Sequence, residues 1–158
     1  MTTLNESTVE LAALEYLRQL GFSTAFGPDL AADGTAPERT SYGQVYLESR
    51  LREAMRRINP GLSPDVVDEA IKRLFRPESQ NPLAENFRVH KLLTYGVPIE
   101  HRASDGSVRT TSVRLIDFEY PENNDWLAVN QFTIVENNRS RRPDVLVFQT
   151  GPLPEMVT

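Results

Sequence analysis

The sequence predicts an α/β (α+β) fold, a mixed β-sheet backed by helices with a helical N-terminal half, because the apolar period changes once along the chain. Before Gly96 apolar residues recur at helical spacing, punctuated by capping residues and by Gly or Pro stops. After it they alternate or run continuously between turn signals, as strands do. With 158 residues, 39% of them hydrophobic and 25% charged, the chain carries enough apolar material for the core of one domain. We therefore expect a single domain over 1–158, mainly helical over 1–95 and strand-rich over 96–158.

Ser7-Thr8-Val9-Glu10 reads as a capping box that opens a first helix. Val9, Ala13, Tyr16, Leu17 and Leu20 form its stripe, and Gly21 closes it. Phe22 to Phe26 reads as a short strand, and Gly27 to Arg39, rich in turn residues, as a loop. Ser41-Tyr42-Gly43-Gln44 is a second capping-box pattern, ahead of a helix whose stripe is Leu47, Leu51, Ala54, Met55 and Ile58. Ser63-Pro64-Asp65 starts a third helix, with proline where its missing N–H costs nothing. Val66, Val67, Ala70, Ile71 and Leu74 supply its inner face, and Asn81-Pro82 starts a fourth helix that runs to about Tyr95.

Asp105-Gly106 at the tip of Ser104–Ser107 marks a hairpin between strands at 97–102 and 108–118. In the second arm Val113, Leu115 and Asp117 share one face, with Arg114, Ile116 and Phe118 on the other. Further strands are expected at 126–135 and 144–148, with Glu136 to Pro143 as a polar loop between them, giving one mostly antiparallel sheet.

Composition excludes several kinds of chemistry. No cysteine is present, which removes disulfides, Cys-ligated zinc and thiol catalysis and fits a cytoplasmic chain. Met1 to Glu10 lacks the basic and apolar regions of a signal peptide, and no apolar run reaches membrane-spanning length. A net charge of −5 argues against a stand-alone nucleic-acid binder. Yet the cations are nearly all arginine, with Lys72 and Lys91 the two lysines, which leaves room for phosphate contact within a larger assembly.

Individual candidates each have a plain structural alternative. His90 and His101 lack a third close ligand, so packing and solvation account for them. Asn123, Asn124 and Asp125 offer oxygens to a cation, or simply make a turn. Arg139, Arg141 and Arg142 suit DNA phosphates or an acidic partner, or a solvated loop beside Glu136. Asp144 stands at a strand entrance stiffened by Pro143. Such a carboxylate either binds Mg²⁺ or caps the turn and pairs with Arg141 or Arg142.

Arg141-Arg142-Pro143-Asp144-Val145-Leu146-Val147-Phe148 resembles the nuclease motif in the restriction subunit of type I restriction–modification enzymes. Other blocks resemble the same family in the same order. They include Glu10 to Leu14 with Gly27-Pro28-Asp29, Glu38-Arg39-Thr40-Ser41-Tyr42, Asn86 to Leu93, Val113 to Phe118, and Glu122 to Thr133 with its Val129-Asn130-Gln131-Phe132-Thr133 core. The resemblance implies a restriction-endonuclease-like nuclease fold of the PD-(D/E)xK type, with an ATP-driven translocase downstream. It further implies Mg²⁺-dependent cleavage of double-stranded DNA in a complex with methyltransferase and specificity subunits. By motif match Asp144 is the metal-binding catalytic Asp, and Glu10 is the helix acid that completes the site, with Glu6 as an alternative. For Glu10 the capping box with Ser7 is the competing explanation.

One departure matters. In the family the Asp-bearing strand leads into a second strand carrying Glu-x-Lys, whose Glu would fall at Thr158 here. The segment Gly151 to Thr158 holds two prolines and Glu155 instead of an apolar strand, and no phosphate-binding loop of an ATPase occurs. ATP is thus expected only of a motor region outside this sequence. The expectation is a truncated or split nuclease domain, inactive alone, or else a non-catalytic interaction module on the same fold. An exposed sheet edge left by the missing strand would favour a homodimer.

Overall fold

The computed structural model describes residues 5–149. In chain order the elements are α1 (Glu6–Gln19), β1 (Ser23–Phe26), α2 (Gly27–Leu30), α3 (Glu48–Ile58), α4 (Pro64–Phe75), α5 (Pro82–Tyr95), β2 (Val97–Arg102) and β3 (Val108–Val113). A 3₁₀ turn (Pro121–Asn123) follows, then β4 (Trp126–Asn130), β5 (Ile134–Glu136), β6 (Arg139–Arg141) and β7 (Val145–Gln149). The α+β class holds, but the single antiparallel sheet does not form. Among the described residues there are three sheets instead: β1-β4-β7, the hairpin β2-β3 and the ribbon β5-β6. Two compact units emerge, one from residues 5–49 with 125–149 and one from 50–124.

In the first unit β4 is the central strand, parallel to β1 and antiparallel to β7. All five of its residues are buried, as expected of a strand covered on both faces. Strand alternation sorts them. Trp126 and Ala128 pack with Phe22 and with Leu14, Leu17 and Leu20 of α1 and its C-terminal turn. Leu127 and Val129 pack on the other side with Leu30, Leu47 and Phe132. The Phe22 ring meets Trp126 edge-on at 5.5 Å, and Phe132 meets Phe148 at 5.1 Å.

α1 corrects two expectations. Its N-cap is Asn5, whose Oδ1 accepts the Thr8 N–H at 2.9 Å and the Ser7 and Thr8 hydroxyls as well. Ser7 therefore caps nothing, and the box with Glu10 is absent. Val9 and Tyr16 face outward, each 56% exposed, so the inner stripe runs through Glu10, Leu14, Leu17 and Leu20. Nor does Ser41 cap a helix: Gln44 Oε1 accepts from the Thr40 N–H and hydroxyl, and α3 begins later, at Glu48. The expected loop after Phe26 contains the single turn α2.

The second unit packs Met55, Val66, Val67, Ala70 and Ile71 against Val97, Ile99, Val113 and Leu115. The α4 stripe, the α3 stripe from Leu51 onward and the β2-β3 hairpin lie where the sequence places them, whereas Leu47 precedes α3 and packs with Leu127 and Phe132 in the first unit. β3 stops at Val113 because Asn59 takes the next ladder position. Its Oδ1 accepts the Arg114 N–H at 2.8 Å and its Nδ2 donates to the Arg114 carbonyl at 2.7 Å. The alternation nevertheless continues, with Val113, Leu115 and Asp117 buried.

Asp117 and Asn124 tie the following turn together. The Asp117 carboxylate accepts from the Glu119 and Tyr120 N–H groups and from Asn123 Nδ2 at 2.9 Å. Asn124 bonds both the N–H and the carbonyl of Asp117. This is the turn reading of Asn123 and Asn124, with no cation required. Burial works to raise the Asp117 pKa, but the bonds from Asn123 and Tyr120 and the nearby Arg114 outweigh it, leaving the group below the usual carboxylate range. A depressed pKa contributes stability above the unfolded value of about 3.9 and loses it as pH falls through the folded value. We expect the stability difference between the parent and Asp117→Asn to be full at neutral pH and to shrink below about pH 4. Urea titrations across that range test it, and a pH-independent difference would refute the assignment.

Candidate metal centre

Glu10, Asn130 and Gln131 of the first unit meet where β4 ends. Asn130 is the last residue of β4, and Gln131 leaves the strand in the left-handed region at φ 57°. Its backbone N–H donates to the Asp144 carbonyl at 3.2 Å, fastening the entrance of β7 to the exit of β4. Its side-chain Nε2 donates to both oxygens of Glu10 at 2.7 Å, and Asn130 Nδ2 lies 3.4 Å from Glu10 Oε2. An ionised carboxylate only accepts, so the amide NH₂ groups must face it. Gln131 thus holds α1 and the β7 entrance in one arrangement.

Three carboxylates converge there. Glu6 and Glu10 stand one turn apart on one face of α1. One oxygen from each of them and one from Asp144 all lie within 4.8 Å of one another. Glu10 is 7% exposed, whereas Glu6 and Asp144 are open to solvent. Among the described residues no arginine or lysine pairs with any of the three, so the alternative of Asp144 held by Arg141 or Arg142 is not realised. Like charges this close repel, and a cation between them relieves it. The donors are hard oxygens, which suit Mg²⁺ or Mn²⁺ and not a soft metal. The residue set therefore fits a divalent ion.

Support for the centre comes from two further layers. Gly27 passes so close to the end of β4 that a Cβ there would lie 2.6 Å from the Gln131 carbonyl oxygen and 2.7 Å from that of Asn130. Beyond Gln131, Phe132 is fully buried under the Arg39 guanidinium, 3.9 Å from its ring centroid. Arg39 donates from Nη1 to the Thr133 carbonyl at 2.7 Å, and burial lowers its pKa against the opposing pull of Tyr42 and Asp33.

The sequence points to Asp144 and Glu10, with Glu6 as the alternative, and the structure brings the three carboxylates together. The sequence does not identify Gln131, Asn130 or Gly27 as their supports, although each lies in a block matched by resemblance. The available signal was a polar pair ending an otherwise apolar strand. His90 is exposed on α5, His101 bonds the Thr111 hydroxyl at 2.8 Å, and among the described residues neither belongs to the carboxylate cluster. Arg139 and Arg141 lie on β6, in a ribbon where a loop was expected, and Arg142 follows it. Glu155 and Thr158 lie outside the described residues.

Comparison with known proteins agrees with the motif. A family model described as "Type I restriction enzyme R protein N terminus" matches residues 3–154. The "Type I restriction enzyme HindI endonuclease subunit" of Haemophilus influenzae is 35% identical over 98% of this chain. The "Putative type I restriction enzyme MjaIXP endonuclease subunit" of Methanocaldococcus jannaschii is 34% identical over 94% of it. In each case the match spans 14% of the relative's length. No described helix is long and apolar enough to cross a membrane. The chain belongs to the family of type I restriction enzyme R protein N-terminal regions.

Proposed function

We propose that these residues form the nuclease end of a type I restriction subunit, which cuts double-stranded DNA with Mg²⁺ in the cytoplasm. In the full enzyme it acts beside an ATP-driven motor region and the methyltransferase and specificity subunits. Both units, over 1–158, serve as one functional domain. The observation that carries this reading is the convergence of Glu6 and Glu10 with Asp144, residues from opposite ends of the chain that share a hard-oxygen cluster.

Asp144 and Glu10 hold the ion, and Glu6 offers a third oxygen. Bound there, Mg²⁺ would polarise a phosphodiester and lower the pKa of an attacking water. Gln131 keeps both Glu10 oxygens oriented, the task of residues that support a metal's ligands from behind. Neither lysine of the chain has an acid two residues before it, so no Glu-x-Lys occurs within the 158 residues. The chain by itself is therefore expected to bind metal without cutting. β1 and β7 are the outer strands of the sheet among the described residues, and β7 is where a further strand or a second copy would add.

Mn²⁺ titration followed by electron paramagnetic resonance tests the site. Asp144→Ala and Glu10→Gln should each weaken binding by about tenfold or more, and Gln131→Leu by about tenfold. Placed in the full-length subunit with its partner subunits, Asp144→Ala should abolish plasmid cleavage. Unchanged Mn²⁺ affinity in both ligand variants would leave the carboxylates structural and favour an interaction module. A monomeric mass across a concentration series would rule out the homodimer.

A further inference from the structure

We infer that the β5-β6 ribbon is a phosphate-binding arm that seats the backbone of duplex DNA beside the carboxylate cluster, an inference that rests on the nuclease reading. Arg139, Arg141 and Arg142 place three guanidinium groups within four residues, in a chain whose net charge is −5. All three are exposed, and among the described residues none is ion-paired or hydrogen-bonded through its side chain. Arg139 and Arg141 occupy alternate positions of β6, so they share a face about 7 Å apart, on the scale of successive phosphates along one strand. Guanidinium binds phosphate oxygens bidentately, which a lysine cannot do.

The ribbon is built to hold that display. Asn137 and Asn138 both adopt positive φ, at 49° and 59°, the pairing that a tight two-residue turn requires. Ile134 packs with the Leu127 and Phe132 cluster, and the Val135 N–H bonds the Tyr42 carbonyl, so the arm is anchored at its base. A groove of about 600 Å³ runs along it, lined by Val45, Ile134, Glu136, Asn137, Arg139 and Arg141. Glu136 faces Arg139 in register without pairing to it, which leaves Arg141 and Arg142 as the stronger anion contacts.

Position decides which polyanion it meets. Arg142 is separated from Asp144 by Pro143 alone, with its fixed φ, and the ribbon joins the β4 exit to the β7 entrance, so its base adjoins the strand entrance that carries one of the three carboxylates. Three clustered acids repel a phosphodiester. Cations at their margin offset that repulsion and would bring the backbone within reach of a bound metal. An acidic protein surface would find the same arginines, but nothing would require it to lie next to Asp144.

Fluorescence anisotropy with a labelled duplex, in chelator so that metal plays no part, tests the arm. For Arg139→Gln/Arg141→Gln/Arg142→Gln, affinity at about 50 mM salt should fall about tenfold or more, and the slope of log K against log salt should flatten by about 2 to 3. Lys72→Gln/Arg76→Gln/Arg102→Gln, with the same change in charge, should stay within about twofold of the parent, since non-specific attraction alone would weaken both alike. The emission of Trp126 checks that the arm variant is folded.

Parent-like duplex binding by the arm variant would overturn the inference. So would equal losses in the two triple variants, or a parent that ignores the duplex. If the parent instead binds a polyglutamate peptide and the arm variant does not, the arm is a protein-docking element and the DNA assignment fails. Mn²⁺ binding by the same variants reports on the carboxylates separately, so a failed arm is distinguishable from a failed nuclease reading.

Discussion

Phe132→Ala is expected to cost about 4 kcal/mol, at the upper end for a single core truncation. The ring is fully buried among Leu30, Leu47, Leu127 and Val129. Truncation leaves a cavity that the β-sheet cannot collapse, and cavity loss adds to the lost transfer energy. It also strips the Arg39 guanidinium of the nearer of its two aromatic faces, leaving Tyr42 at 5.0 Å, while that cation remains buried with Nε and Nη2 lacking partners among the described residues. Trp126 is the single tryptophan of the chain and lies in the same unit, so its fluorescence in urea reads this stability selectively. Phe132→Leu should recover roughly half of the loss by refilling the cavity. A cost under about 1 kcal/mol for the alanine variant would show that Phe132 is not the keystone of this core.

Gly27→Ala is the second large effect, expected at about 2–4 kcal/mol for a single added methyl. The atoms in its way are backbone carbonyls at the exit of β4, not the pliable end of a side chain. Something must move, and what moves is the segment that turns Gln131 into its left-handed conformation. The change should therefore weaken Mn²⁺ binding as well as folding, with no ligand touched. Gly21→Ala provides the contrast. That glycine has φ 94° but open space around its Cβ position, so only the conformational cost of about 1 kcal/mol applies. Equal effects at the two glycines would refute the steric argument.

The sequence made the helices and hairpin legible because local rules decide them: Asn81-Pro82 caps α5 and Asp105-Gly106 turns the β2-β3 hairpin. It was misleading where a local pattern had a competing partner elsewhere. Ser7 and Glu10 match a capping box, but Asn5 caps better and Glu10 turns inward to Gln131. Residues 114–118 alternate like a strand, yet Asn59 occupies the ladder position of Arg114. Arg139-Ser140-Arg141 is too polar to read as a strand, though Asn137-Asn138 advertised its turn. Asp144 and Glu10 were found by motif and not by spacing. Their support by Gln131 depends on a backbone angle that no pattern of residue types reveals.

The first unit is interrupted by the second, and this sets an order of assembly. Ser23 of β1 must find Leu127 of β4 across roughly a hundred residues, a closure whose entropy only tertiary contacts repay. Residues 50–124 hold their own apolar cluster and can condense as soon as they emerge during synthesis. Glu6 and Glu10 are made well before Asp144, with the whole inserted unit between them. The cluster that would bind metal is thus a late event, assembled after the inserted unit has shortened the loop between its halves. A nascent chain stalled before residue 125 would carry a folded insert and two acids with nothing to face. Metal binding would then mark completion of the whole segment, where stability of the insert marks only its middle.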